Sequence, residues 1–169
     1  SLRTSVPDVF AAGDCAEIVM PGGKNLVQQV WYTGKKQGEL VAEVIAAAEA
    51  GAGAHVYDPG IWFNSAKFFD LEYQTYGRVN WRVPGEESLY WEHASGKKSV
   101  RIVHLGGKVI GFNLMGIRWR HEVCERWIAE GRALDHVLPR LGEAGFDPEF
   151  YARHEREIGA AFAHSPTYS

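Results

Sequence analysis

A carboxylate follows a short apolar run near the start of the chain, in the stretch VFAAGDCAE at residues 9–17. Small residues at the end of such a run let an extended ligand approach the backbone, and Gly13 permits both a tight turn and a close contact. The Asp14 carboxylate can accept strong hydrogen bonds, for example from sugar-type hydroxyls. From the residues alone, a solvent-exposed aspartate after a small-residue strand is the commoner interpretation, so the stretch needs support from its surroundings.

A helix that begins near Thr33 supplies a second kind of binding group. The residues before Gly13 predict a strand over 6–12, residues 15–29 predict a loop with a turn at 21–23, and the helix is predicted over 33–49. Thr33 is the expected N-cap and Gly51 the expected stop. One apolar stripe supports the helix: Leu40, Val41, Val44, Ile45 and Ala48. The N–H groups at the start of a helix carry partial positive charge and favour an anionic ligand edge.

Beyond a glycine- and alanine-rich stretch, apolar and polar residues begin to alternate with a period of two. We therefore predict a boundary near residues 50–60 and two domains, at 1–52 and 58–169. Strands are predicted over 69–76, 87–93, 99–105 and 108–116. Turns at 95–97 and 106–107 would join the last three into an antiparallel meander. Helices are predicted over 119–130 and 133–142, and a last one that Pro148 opens and that includes Phe150, Tyr151, Ile158 and Phe162. The fold class expected is α+β: an antiparallel meander with C-terminal helices, preceded by a strand and a helix of another fold.

Composition excludes several function classes. The net charge is −3 and no basic run stands out, so nucleic acid is not an expected partner. No apolar run is long enough to span a bilayer, and we predict a cytoplasmic protein without a membrane partner. Cys15 and Cys124 lie far apart, which excludes a closely spaced redox dithiol, and Cys15 is expected to be buried or inert. His121 and Cys124 share one helical face, but no second pair accompanies them, so no metal site is predicted.

The segment from Thr4 to Ala16 resembles the second FAD-binding motif of the pyridine nucleotide–disulfide oxidoreductase superfamily, in which a Thr precedes an apolar strand ending in Ala-x-Gly-Asp. The resemblance implies that Asp14 holds a ribityl hydroxyl of FAD and that Gly13 is the glycine of close approach. It also implies that a backbone N–H at Val30 or Trp31 contacts the flavin pyrimidine edge. Gln37-Gly38 matches a Gln-Gly pair that the superfamily carries near the start of this helix.

Residues 61–77 are similar to the opening of the C-terminal domain of ferredoxin reductases such as putidaredoxin reductase. The shared residues are Trp62, Phe63, Ser65, Gln74 and Gly77. The sequence departs from that pattern at Asn64, where the family has an aromatic residue, and at Ala66, where it has Asp. For Trp62 and Phe63, a place facing the flavin or another domain and a place in the core are equally expected.

The resemblance implies that residues 1–52 are the last strand and helix of a Rossmann-like FAD domain and that residues 58–169 are an interface domain of the reductase C-terminal type. It also implies a function for a larger protein. In it, hydride passes from NAD(P)H to FAD and electrons pass on to an acceptor. Both Gly-x-Gly-x-x-Gly phosphate-binding turns of the superfamily are absent from this chain, which also begins at Ser1, so we expect a C-terminal portion with no catalytic residues of its own. Its expected partners are the upstream FAD and NAD(P) domains, a second copy, and an electron-transfer partner. The alternative is a non-catalytic dimerisation or protein-binding module.

Overall fold

The computed structural model describes residues 2–20, 25–51, 56–80, 82–146 and 152–163. The chain divides into two compact units, residues 1–60 and 61–169. Among the described residues, no helix is long and apolar enough to cross a bilayer. Whether the first unit is a remnant of a FAD domain, and the second an interface domain, stays a prediction.

The first unit contains a short antiparallel hairpin and one long helix. Strands β1 (Glu17–Val19) and β2 (Asn25–Val27) pair with each other, and helix α1 runs over Trp31–Glu49. The prediction of a loop over the whole of 15–29 is therefore wrong, since three-residue strands are too short to show a clear period. The turn predicted at 21–23 lies outside the described residues.

The strand predicted over 6–12 is wrong as well. Residues 5–8 form a turn, with Asp8 at a φ of 60°, and only Phe10 forms a strand-like bridge, to Arg3. The Thr4 hydroxyl accepts a hydrogen bond from the Val6 N–H at 3.1 Å. Such a local bond offers the backbone an alternative to a sheet ladder. Pro7 has no N–H to donate to one.

Helix α1 begins at a position other than the one expected. Val30, with an extended backbone (φ −139°), occupies the N-cap, and no side chain caps the helix. The Thr33 hydroxyl instead donates to the Val30 carbonyl at 2.8 Å, so the N-cap prediction for Thr33 is wrong. The stop is confirmed, because the helix ends at Glu49 and Gly51 lies in the left-handed region at φ +68°.

The second unit is built on a five-stranded antiparallel sheet. Its strands are β3 (Phe63–Phe68), β4 (Leu71–Gly77), β5 (Glu86–Glu92), β6 (Ser99–Leu105) and β7 (Lys108–Met115). Their order in the sheet is β3-β4-β7-β6-β5. The last three strands form the predicted meander, and their tight turn at 106–107 has both glycines at positive φ, as a two-residue hairpin requires. The sequence did not predict β3.

Helices cover the sheet and complete a large apolar core. These are α2 (His121–Ala129), α3 (Leu134–Val137), a 3₁₀ turn (Leu138–Arg140), α4 (Leu141–Ala144) and α5 (Glu155–Ala163). Phe112 of the sheet and Trp127 of α2 are fully buried in this core. Ile158 and Phe162 of α5 lie in it too, and burying such a side chain contributes about 1.5–3 kcal/mol. The α+β class with C-terminal helices is confirmed; the predicted start of the last helix, from Pro148 through Phe150 and Tyr151, lies outside the described residues.

Candidate functional site

Gly13 lies at a tight turn that packs against the start of helix α1. Its φ of +86° is in the left-handed region, which favours glycine. Its N–H donates to the Gln37 side-chain oxygen at 2.7 Å. A Cβ placed on Gly34, in the first turn of α1, would lie 3.6 Å from the Gly13 Cα, so the two backbones approach each other closely. The turn is therefore fixed to the helix by one hydrogen bond and one backbone contact.

A buried polar network holds Gln37 in place. Gln37 has no exposed surface, and its amide nitrogen lies 3.5 Å from both the Gln28 side-chain oxygen and the Tyr57 hydroxyl. The Tyr57 hydroxyl donates to the same Gln28 oxygen at 2.7 Å. A network in which each buried group has a partner fixes the orientation of its members. Gln37 was noticed through its resemblance to a family motif, whereas sequence reasoning missed Gln28 and Tyr57, because no local pattern connects them to Gly13.

Asp14 projects its carboxylate from this fixed turn. Asp14 is exposed, and among the described residues no hydrogen bond or ion pair engages its carboxylate. The oxygen atoms are therefore available to a ligand hydroxyl. Cys15 follows Asp14 in the chain. The prediction that Cys15 is buried is wrong, because Cys15 is exposed and its thiol donates to the Ala12 carbonyl at 3.7 Å.

Val30 and Trp31 form the start of helix α1. Val30 is half-buried, and the Trp31 side chain is 71% exposed, with its ring against Tyr32 at a centroid distance of 5.3 Å. The first turn of α1 contains no acidic residue and no side-chain cap. The partial positive charge of this helix end is thus not offset by a carboxylate of its own first turn. Gly13, Asp14, Val30 and Trp31 all lie within one unit, on a single turn-and-helix arrangement.

Trp62 and Phe63 lie in the other unit, at the beginning of β3. The Phe63 ring stacks on Tyr76 at a centroid distance of 5.0 Å and contacts His121 at 4.2 Å. Trp62 is half-buried, and its carbonyl accepts a hydrogen bond from the Gly77 N–H at 2.7 Å. One face of Phe63 therefore packs on the core of its own unit. A flavin-facing role for the pair stays a prediction.

The two departures from the ferredoxin reductase pattern are part of the sheet. The Asn64 amide donates to the Tyr73 hydroxyl at 2.9 Å, across the β3–β4 pair, and Ala66 lies directly opposite Tyr73 in the register. Asn64 thus replaces a ring with a cross-strand hydrogen bond.

The His121–Cys124 pair does not offer two metal ligands. Cys124 has no exposed surface, and burial raises the pKa of its thiol. The thiolate is the form that binds metals, so burial opposes that role. His121 places its Nε2 atom 3.4 Å from a Glu125 oxygen.

Two curated oxidoreductases are similar to this chain in sequence. Pyridine nucleotide-disulfide oxidoreductase domain-containing protein 1 of Mus musculus is 28% identical over 156 residues, which cover 89% of this chain and 31% of that protein. Monodehydroascorbate reductase of Pisum sativum is 35% identical over 119 residues, 68% of this chain and 26% of that protein. No protein-family model matches the sequence.

Two solved structures superpose on most of the chain. An NAD-dependent persulfide reductase from A. fulgidus superposes with a TM-score of 0.59 at 22% identity, over 82% of this chain and 28% of that one. Putidaredoxin reductase, in its covalent complex with putidaredoxin, superposes with a TM-score of 0.53 at 16% identity, over 97% of this chain and 35% of that one. At these identities the structures show a shared fold.

The resemblance to pyridine nucleotide–disulfide oxidoreductases is confirmed. The chain spans about a third or less of the length of the curated oxidoreductases it matches. The relatives thus support an oxidoreductase assignment at the level of the superfamily. The Gly13–Asp14 turn together with the start of α1 is the candidate site for a ligand.

Proposed function

We propose that the chain is the C-terminal portion of a FAD-dependent NAD(P)H oxidoreductase and provides one side of its flavin site. FAD supplies the redox chemistry, because it accepts hydride from NAD(P)H and passes electrons to an acceptor. The Gly13 turn, held by buried Gln37 against the start of α1, is the observation that carries the proposal. NAD(P)H would bind in other domains of the same protein.

Asp14 and Gly13 fit the ribityl chain of FAD. Nothing lies within 4 Å of the position that a Gly13 Cβ would occupy, so the backbone is open to a ligand there. The adjacent carboxylate is exposed and can accept a hydrogen bond from a ribityl hydroxyl. Because Gln37 fixes the turn, this acceptor does not have to be ordered when the ligand binds, which lowers the entropic cost of binding.

The start of α1 fits the electron-rich edge of a flavin. Its uncapped first turn offers backbone N–H groups near Val30 and Trp31, without a competing carboxylate. Such groups favour negative charge. The exposed Trp31 ring and the partly exposed Trp62 and Phe63 are the aromatic surfaces that we assign to the flavin or to a neighbouring domain.

The test compares Asp14→Asn with Asp8→Asn in the full-length parent protein. Asp8 is an exposed acid of the same segment, and Asn tolerates its positive φ well. A hydrogen bond to a charged group contributes about 1.5–3 kcal/mol, so Asp14→Asn is expected to raise the Kd for FAD roughly tenfold to a hundredfold. Asp8→Asn should leave it unchanged. Equal FAD affinity in the two variants would overturn the role of Asp14.

The 169-residue chain alone provides a second test. Because it supplies only one side of the site, it should show no bound flavin in its visible absorption spectrum after saturation with FAD and gel filtration. One FAD retained per chain would contradict a partial site. A normal flavin content in the parent Asp14→Asn variant would instead contradict only the residue assignment.

A second candidate, a surface for association with another copy or an electron-transfer partner, is favoured by the β3–β4 hairpin. Phe69 at its tip is 98% exposed, and its φ of 52° is one that a bulky residue adopts only at a cost. The neighbouring Phe68 is 57% exposed and stacks on Tyr73. Phe69→Gly would relieve the backbone and remove the apolar ring. If the hairpin is an interface, this variant weakens association in analytical ultracentrifugation without loss of thermal stability; unchanged association excludes the hairpin.

A further inference from the structure

Two histidines and a glutamate meet where helix α5 adjoins the β5–β6 hairpin. His93 follows β5, His154 precedes α5, and Glu157 lies in the first turn of α5. One nitrogen from each ring and one carboxylate oxygen lie within 4.8 Å of one another. His154 and Glu157 are three residues apart, whereas His93 lies about sixty positions earlier and is brought to them by the fold.

This set of side chains is one that transition metals use. Zinc takes histidine nitrogen and carboxylate oxygen ligands at about 2.0–2.2 Å, and three protein ligands with a fourth position for water are common. Around a tetrahedral ion, ligand atoms at those lengths are about 3.3–3.6 Å apart. Side-chain rotations that move the ligand atoms by about 1 Å would therefore bring them to these separations. The distance between His154 Nδ1 and a Glu157 oxygen is already 3.7 Å.

The surroundings hold both imidazoles in place. The side chain of His154 is 13% exposed, and its ring lies 5.8 Å from the Trp91 ring and 5.2 Å from the His93 ring. Nδ1 of His93 accepts a hydrogen bond from the Ser95 N–H at 3.2 Å and lies 2.9 Å from the Ser95 hydroxyl oxygen, which fixes the orientation of this ring.

A positive charge already lies beside the cluster. The Lys98 Nζ atom lies 2.8 Å from His154 Nε2, where a metal ion would add another positive charge, so Lys98 competes with a bound cation.

We propose that His93, His154 and Glu157 bind one divalent transition-metal cation such as zinc, which would link the start of α5 to the β5–β6 hairpin. Water would fill the remaining position. A cavity of about 60 Å³ lined by Lys98, His154 and Glu155 gives solvent access beside the cluster. The site is distinct from the proposed flavin contacts and goes beyond that function.

The first test is isothermal titration of the 169-residue chain with zinc chloride at pH 7.5 in a non-chelating buffer. One zinc ion per chain is expected. His93→Gln and Glu157→Gln should each weaken binding at least tenfold, since even the loss of an outer contact to a metal ligand costs about that much. His121→Gln is the matched control, because His121 pairs with one glutamate but belongs to no cluster of three within the described residues. No binding, or equal affinity in His93→Gln and His121→Gln, would overturn the proposal.

A second variant gives a result in the opposite direction and does not depend on removing a ligand. Lys98→Met removes the competing ammonium but retains an apolar side chain of similar length. Zinc binding should tighten several-fold in Lys98→Met, and zinc should raise the thermal midpoint of this variant more than that of the unsubstituted chain. Weaker or unchanged zinc affinity in Lys98→Met would contradict a site at His154.

Discussion

The two units of the chain are stabilised in different ways. In the unit of residues 61–169, a large cluster of fully buried apolar side chains joins the sheet to the helices. In the unit of residues 1–60, the buried apolar cluster consists of Leu2, Ile18 and Tyr57, beside a polar network of amide and hydroxyl groups. Among the described residues of this unit, Val19, Trp31 and Val56 each expose more than two thirds of their surface.

From this difference we expect the unit that contains the Gly13–Asp14 turn to be the less stable one. The stabilisation from hydrophobic burial is proportional to the apolar area that is buried, and the larger unit buries more of it. Hydrogen bonds contribute less on balance, but a buried group that loses its partner carries a large cost. In the smaller unit polar groups fix one turn, and we expect the larger unit to have the larger free energy of unfolding.

The largest effect is expected from Trp127→Ala in the second unit. Trp127 is fully buried against Phe112, at a ring-centroid distance of 6.1 Å, and such a truncation leaves a cavity. The free energy of unfolding of this unit should fall by about 3–5 kcal/mol in urea titrations. Leu105→Ala, at a 39% exposed position of β6 in the same unit, is the control and should have a small effect. A loss below 1 kcal/mol for Trp127→Ala would contradict the account of the core.

A smaller but more local effect is expected from Gln37→Leu in the first unit. The variant removes the acceptor of the Gly13 N–H and one member of the network with Gln28 and Tyr57. The cost should be about 1–3 kcal/mol, the penalty for buried polar groups without partners. Amide hydrogen exchange at Gly13 should accelerate, whereas Glu39→Ala, at an exposed position of the same helix, should leave it unchanged. Unaltered exchange at Gly13 would show that the network does not hold the turn.

The smallest effect concerns pH and the second unit. His104 is 5% exposed in β6, neither ring nitrogen has a hydrogen-bond partner among the described residues, and burial lowers its pKa from the ordinary 6.5. Below pH 6.5 the unfolded chain therefore binds more protons than the folded one. The contribution of the neutral His104 ring to the free energy of unfolding is therefore fully present above pH 6.5. It is lost as the pH falls from 6.5 through the lowered pKa of the folded state. Glu87, opposite His104 in the register, opposes the shift, and His154 acts in the same direction as His104.

The measurement is the free energy of unfolding between pH 7.5 and 5. His104→Val should lose part of the acid-side slope, and His136→Gln, outside the sheet, should retain it. An identical slope in His104→Val and the unsubstituted chain would place the pH dependence elsewhere.

Much of the larger unit could be predicted from the sequence, because strands β5, β6 and β7 are separated by glycine turns. The edge strand β3 could not, since its residues are all half-buried or exposed and show no alternation. The predicted strand over 69–76 included the hairpin turn itself. That turn puts Phe69 at positive φ, whereas glycine or asparagine normally marks such a position.

Part of the candidate site could likewise be predicted from the sequence, and part could not. Gly13 and Asp14 stand together in the sequence, so their turn could be predicted. The strand assigned before them failed because residues 5–8 turn back and satisfy backbone groups locally. Gln28 and Tyr57 became visible only in three dimensions, since they lie 9 and 20 residues from Gln37. The flavin-facing roles of Val30, Trp31, Trp62 and Phe63 stay predictions.

Helix α5 has a consequence for the order in which the protein folds. It contacts β5, some sixty residues earlier in the chain, and places Ile158 and Phe162 in the shared core. Contacts of such long sequence separation form late, because a long loop must close before they contribute. During synthesis we therefore expect the sheet to remain with part of its apolar face uncovered until residue 162 has left the ribosome. Chains arrested before α5 should bind a hydrophobic dye or a chaperone, and chains arrested well after it should not.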